Sequence, residues 1–358
     1  MPTSSCGPCR AASRSRRRAL PFRTAATPRS STGASSCPTA ESAQSWSVWT
    51  PPVCPSPRPT APDPAHHRVF LEEPMHSSRL KITAATRAGS PRVASEDRVR
   101  TAPGLIVVVD GVTTVADGAE ALGGTYADAL GEEVIALAGD PDTDLRTALA
   151  EAIGRTAKAL NLALPTVPGS SAQATVTVAR VRGTSFEAAA IGDSPVAAIS
   201  HDSSVRVLTD DRLAALVGNR PARLEQWERL RSGVGRIGDQ RHRELMQEIM
   251  RGLSDAVNVP GGYWIAGADP QAGLNAVVAS WPLEELSDIL IATDGTSVAV
   301  DKYGLLTWPQ IADLCRTEGP DAVLDLVDEA DASDPFGHRW PRAKPGDDKT
   351  LVHVLVAP

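Results

Sequence analysis

Four apolar runs between residues 172 and 209 constrain this chain most. They read "AQATVTVARV" (172–181), "SFEAAAIG" (185–192), "PVAAIS" (195–200) and "VRVLT" (205–209). The connectors Arg182-Gly183-Thr184 and Asp193-Ser194 are two or three residues long, whereas a parallel crossover needs about a dozen. The run is therefore expected to be an antiparallel meander of hairpins. Further strands are expected at 80–85, 104–110, "YWIAG" (263–267), 276–281, 288–293 and 350–356. Apolar residues at helical spacing predict a helix through Ala127, Leu130, Val134 and Leu137, and a second through Leu145, Leu149, Ile153, Ala157 and Leu160. Charged helical sequence over 211–254 is broken at Pro221 and "SGVGRIGD", and two more helices are expected near 307–317 and 319–330. Meanders mixed with helix pairs favour an α+β fold in which helices cover antiparallel sheets.

Two of these strands end in the same way. "LIVVVDG" (105–111) and "DILIATDG" (288–295) each drive an apolar run into an Asp-Gly pair. An Asp-Gly is commonly a turn, and Asp117-Gly118 has no strand before it. Other acidic pairs, however, also flank strands: Glu96-Asp97 before the strand that leads to Asp110, and Asp347-Asp348 before the last. Carboxylates gathered at strand ends repel and are costly to desolvate unless a cation compensates. An oxygen-only donor set without His or Cys suits hard ions such as Mg²⁺ or Mn²⁺. Gly111, lacking Cβ, would let its carbonyl approach a metal.

Charge divides the chain. Residues 1–74 contain nine Arg, no Lys and four acidic residues, a net +5, so residues 75–358 carry −12 of the overall −7. An acidic body disfavours nucleic acid as a partner. Thirteen of 29 prolines and four of five cysteines (Cys6, Cys9, Cys37, Cys54) also lie in 1–74. That segment has no period and too little apolar surface to offset its ordering entropy, so it is expected to be a disordered leader. Cys6-x-x-Cys9 lacks a second zinc-ligand pair. Met75 stands where patterning begins, and the native chain is expected to start there. Cys315 alone cannot form an internal disulfide, which points to a reducing, cytoplasmic setting. No run approaches the roughly 20 residues that cross a bilayer.

From about residue 80 to the C-terminus, the ordered motifs resemble the metal-dependent protein phosphatases of the protein phosphatase 2C type. They are Arg92 followed by Glu96-Asp97, "VVVDG", "AAIGDSP" (Gly192-Asp193-Ser194), "LIATDG" and "GDDKTLVHVLV". The resemblance implies a four-layer α/β/β/α sandwich, two antiparallel sheets flanked by helix pairs, over 75–358, with 211–287 as a flap-like insertion. It implies hydrolysis of phosphoserine and phosphothreonine in proteins by a water activated between two Mn²⁺ or Mg²⁺ ions. Asp110 would bridge the ions, Asp294 and Asp347 would complete one coordination sphere, and Glu96 with the Gly111 carbonyl would serve the other. Asp97 would orient a water and Arg92 would hold the phosphate. Some departures stand out. Val112 occupies the position where many relatives place a His as candidate general acid, and "DGVTTVADG" lacks the Gly-Gly-His of other relatives. Thr166 and Val298 replace carboxylates of a further metal site, so two ions rather than three are expected. The rival readings are a pseudophosphatase binding module with weak turnover and a hydrolase of small phosphate esters. Hairpin structure is the expected role of Gly192-Asp193-Ser194. His353 is expected to pack in its strand, and His201, His242 and His338 to lie on loop or helix surfaces.

Overall fold

The computed structural model describes residues 66–70, 80–112 and 122–357. Its strands are β1 (His66–Phe70), β2 (Leu80–Arg87), β3 (Arg98–Ala102), β4 (Leu105–Gly111), β5 (Ala174–Arg182), β6 (Ser185–Ile191), β7 (Val196–Ser200), β8 (Val205–Leu208), β9 (Val277–Pro282), β10 (Leu286–Ala292) and β11 (Lys349–Val356). Helices α1 (Leu122–Ala138) and α2 (Leu145–Ala159) follow β4. Helices α3 (Arg212–Gly218), α4 (Pro221–Arg231), α5 (Gln240–Arg251) and the short α6 (Gln271–Leu274) lie between β8 and β9. Helices α7 (Asp294–Asp301), α8 (Trp308–Thr317) and α9 (Pro320–Ser333) precede β11.

The strands form a six-stranded sheet, β1-β2-β11-β10-β7-β8, and a five-stranded sheet, β3-β4-β5-β6-β9, with antiparallel pairing throughout. Residue parity shows why both apolar runs are continuous. Leu105, Val107 and Val109 of β4 pack on α1 and α2. Ile106 and Val108 face the other sheet and meet Ile289, Ile291, Val352 and Val354. The opposite parity of that sheet, Leu290, Ala292 and Leu351, packs under Ile311 and Ala312 of α8 and Val323 and Leu324 of α9. Strands covered on both faces cannot alternate with polar residues. The result is the expected α/β/β/α sandwich.

Some elements differ from the sequence reading. The run 172–209 is not one meander. β5–β6 and β7–β8 are hairpins in different sheets, and residues 192–195 cross from one sheet to the other. Gly192 makes the turn at φ +85°. Ser194 is buried beneath it, its Oγ 2.7 Å from Thr175 Oγ1 and its carbonyl accepting from Thr177 Oγ1 at 2.6 Å.

"YWIAG" is not a strand. It makes single bridges at Tyr263 and Ala266, because the Asn258 side chain takes both backbone groups of Ile265 (3.1 and 2.8 Å) that a neighbouring strand would need. β3 had no apolar signal. It is an edge strand whose Arg98 and Arg100 pair with Asp128 of α1 at 2.8 and 2.6 Å, as charged edges commonly are. β1 falls within the expected leader. The free edge of β2 offers it backbone partners from Arg87 to Thr83, so pairing there requires no apolar period. The Cys6-x-x-Cys9 pair lies outside the described residues.

Candidate metal centre and active site

Strand register, not sequence proximity, assembles the acidic residues. β4 ends at Asp110-Gly111, with Asp110 opposite Thr175 near the start of β5. β3 begins at Arg98, opposite Val109, so Glu96-Asp97 enters at the same end. β6 leaves that end through Asp193, and β10 leaves it through Asp294 as β11 enters from Asp347, with Ala292 opposite Leu351. Asp110 shares the parity of Ile106 and Val108 and so faces the space between the sheets. Both Asp-Gly strands therefore finish at one end of the sandwich.

Close packing without Cβ atoms brings the carriers together. A Cβ on Gly111 would lie 2.7 Å from the Gly123 carbonyl and 3.0 Å from Glu96 Cβ. One on Gly295 would overlap the Asp348 carbonyl oxygen. Asp348 clasps the neighbouring loop, accepting from the Gly89 and Glu96 amides at 2.8 and 2.6 Å. Asp97 is 2% exposed. Its Oδ2 accepts from Thr293 Oγ1 at 2.9 Å, and that hydroxyl in turn accepts from the Thr350 amide at 2.9 Å. Asp97 Oδ1 is buried with no hydrogen-bond partner among the described residues.

Burial is the first cause of raised pKa values here. Asp110 is held well above the usual carboxylate range by burial, then by the charges of Asp97, Asp294, Asp347 and Asp193. Burial, with Asp348 and Asp347, pushes Asp97 up to about 7, against hydrogen bonds from the Thr350 and Thr293 hydroxyls. Asp347 rises to about 6 through burial and Asp294, opposed by Lys344. Asp294 and Asp193 are also raised, mainly by burial. Because these folded-state values exceed the ordinary value near 4, the folded chain retains protons that the unfolded chain releases. The stability from that retention is full below about pH 4 and lost as pH rises through about 6 to 7. Chelator-treated protein should therefore unfold at higher urea at pH 5 than at pH 8, and saturating Mn²⁺ should flatten the difference. A midpoint rising with pH would show that the carboxylates do not strain one another.

The oxygen donor set and the buried, unpartnered Asp97 Oδ1 fit a hard divalent cation. Among the described residues no three such side chains converge as a ready-made ligand set. Like charges stand apart, and Lys344 Nζ lies 2.5 Å from Asp347 Oδ1. Arg92 is exposed on the 88–95 loop, where its amide bonds Ser90 Oγ at 3.3 Å.

Sequence reasoning missed Lys344 and the place of Asp193 beside Asp294. The only signal for Lys344 was a basic residue three positions before Asp347 in a Pro-Gly loop. His242 is not on the surface. It is 2% exposed, with Nε2 2.8 Å from the Ala343 carbonyl oxygen, because α5 packs against the 334–346 loop. His353 packs as expected, 2.8 Å from Asp288. Val112 packs into an apolar cluster with Leu245, Ile249 and Tyr263, which accounts physically for an apolar side chain beside the first Asp-Gly.

The protein phosphatase 2C family model matches residues 95–332. The chain belongs to the protein phosphatase 2C family. It is accordingly a protein serine/threonine phosphatase, and the substrates of that class are phosphoproteins. No curated protein matches the sequence. Similar solved structures include the catalytic domain of the serine/threonine phosphatase PstP in complex with two manganese ions, 16% identical over 78% of this chain and 99% of that one, TM-score 0.46. PppA of Pseudomonas aeruginosa is 18% identical over 78% and 98%, TM-score 0.46. MsPP of Mycobacterium smegmatis, in complex with cacodylate, is 22% identical over 78% and 99%, TM-score 0.44. Among the described residues of this family member, no helix is long and apolar enough to cross a membrane.

Proposed function

We propose that this phosphatase hydrolyses phosphoserine and phosphothreonine in proteins with two Mn²⁺ or Mg²⁺ ions held at the acidic end of the sandwich. The observation that carries the reading is that strand register brings Glu96, Asp97, Asp110, Asp294 and Asp347 to one end of the sandwich from four separate chain segments. Asp110 would bridge the ions, Asp294 and Asp347 would hold one, and Glu96 with the Gly111 carbonyl the other. When bound, such ions activate a water and neutralise phosphoryl charge.

The chain's own residues supply the rest. Asp97, fixed by Thr293, directs its unpartnered Oδ1 for a water to donate to. Exposed Arg92 is free to grip phosphate oxygens with a planar pair of donors. Val112 can donate no proton, so the leaving alkoxide takes its proton from solvent. This slows poor leaving groups by on the order of 10²-fold. A cytoplasmic setting is supported by Cys315 being the sole cysteine after residue 74.

The test is hydrolysis of a phosphothreonine peptide and an aryl phosphate with Mn²⁺, before and after chelation. The proposal expects both to be hydrolysed, the aryl ester faster, and both to stop on chelation. Hydrolysis of the aryl ester alone would favour a small-ester hydrolase. No turnover of either, with metal bound, would favour a binding module.

A further inference from the structure

We infer that Lys344 is a built-in competitor for the divalent cation at Asp347: a tethered ammonium ion that metal must displace. The inference rests on the metal-centre reading above and concerns what controls its affinity. Lys344 Nζ lies 2.5 Å from Asp347 Oδ1, which also accepts from the Asp348 amide at 2.9 Å, so a metal bound through both oxygens of that carboxylate would have to displace the ammonium. The pair is not an ordinary surface ion pair, which is worth little. Asp294 and Asp110 act on the same ammonium together with Asp347, so one flexible cation faces three carboxylates.

The chain on either side of Lys344 is held. Asp334 accepts from the His338, Arg339 and Trp340 amides at 2.8, 3.1 and 2.9 Å. Buried Arg342 pairs with Asp331 and Asp334. Ala343, the residue before Lys344, is fixed through its carbonyl by His242 of α5. Downstream, buried Lys349 donates to the Asp347 carbonyl at 2.8 Å. With both flanks anchored, the ammonium stays beside Asp347 at high effective concentration. Its side chain is nonetheless 46% exposed, so it can swing into solvent without unfolding the loop. A tethered, displaceable cation of this kind weakens metal binding by the free energy of the contact it must give up.

The experiment measures Mn²⁺ affinity, not turnover. Chelator-treated full-length chain is titrated with Mn²⁺ and free ion is followed by electron paramagnetic resonance, comparing wild type with Lys344→Gln, Lys344→Arg, Lys302→Gln and Asp110→Ala. Lys344→Gln should bind about five- to tenfold more tightly than wild type, and Lys344→Arg within about twofold of it. Lys302 reaches Asp294 and Asp193 only through space, so Lys302→Gln should change affinity by less than half as much on a logarithmic scale. An unchanged or weaker affinity in Lys344→Gln overturns the inference while leaving the metal centre intact. A raised KM in that variant with unchanged Mn²⁺ affinity would assign Lys344 to the substrate phosphate instead. If wild type binds no Mn²⁺, or Asp110→Ala binds as wild type does, the metal-centre reading fails and this inference with it.

Discussion

Asp110→Ala should reduce kcat on a phosphothreonine peptide by on the order of 10³-fold or more, because a carboxylate shared by two cations contributes several kcal/mol to charge compensation at the reacting phosphoryl group. The same substitution should not weaken the fold in chelator. Asp110 is held well above its ordinary pKa by burial and by four neighbouring carboxylates, so its charged form opposes folding at neutral pH. Removing it should leave the chelated protein as stable as wild type or more so. Loss of activity with preserved or increased stability is the signature of a ligand held at the expense of the fold. Equal activity in the variant would remove Asp110 from the reaction. A large loss of stability in chelator would make it a structural residue.

Gly295→Ala should act in the opposite sense, on structure first. The added Cβ would overlap the Asp348 carbonyl oxygen and lie 3.1 Å from Asp347 Cβ. The obstacle is backbone, so either α7 or the 346–348 segment must move. We expect a loss of about 2–4 kcal/mol of stability in urea unfolding and weaker Mn²⁺ binding, because Asp294 and Asp347 sit on the two segments being forced apart. Gly218→Ala is the control. Its Cβ would meet nothing within 4 Å, so stability should change by under about 0.5 kcal/mol. Equal tolerance at both positions would show that the α7–β11 contact does not set the site.

Much of this architecture was legible in residue order. The runs at 105–109 and 289–292 had no polar alternation because both faces of each strand are covered. Their Asp-Gly ends were legible as members of a set through Glu96-Asp97 and Asp347. Features set by long-range partners were not. β3 is Arg-Val-Arg-Thr-Ala, and its strand character comes from pairing with β4 and from Asp128. α7 begins at Asp294 itself, with the Thr296 and Ser297 amides bonding back to the Thr293 carbonyl at 3.0 Å each. Its Gly-Thr-Ser opening carries no helical signal. The crossing at Gly192–Pro195 has the length of a hairpin, and it changes sheets because β6 pairs with β5 while β7 pairs with β10. Lys344 belongs to no motif, and its meaning depends on Asp347 three residues on and on Asp294 and Asp110 from distant segments.

The most direct test of the central claim is the stoichiometry of Mn²⁺ binding to chelator-treated protein, measured calorimetrically alongside the Asp110→Ala variant. The account predicts two ions per wild-type chain, with binding lost or severely weakened at both sites in the variant because Asp110 serves both. A wild-type chain that binds no ion, or two ions bound with undiminished affinity by the variant, would contradict it.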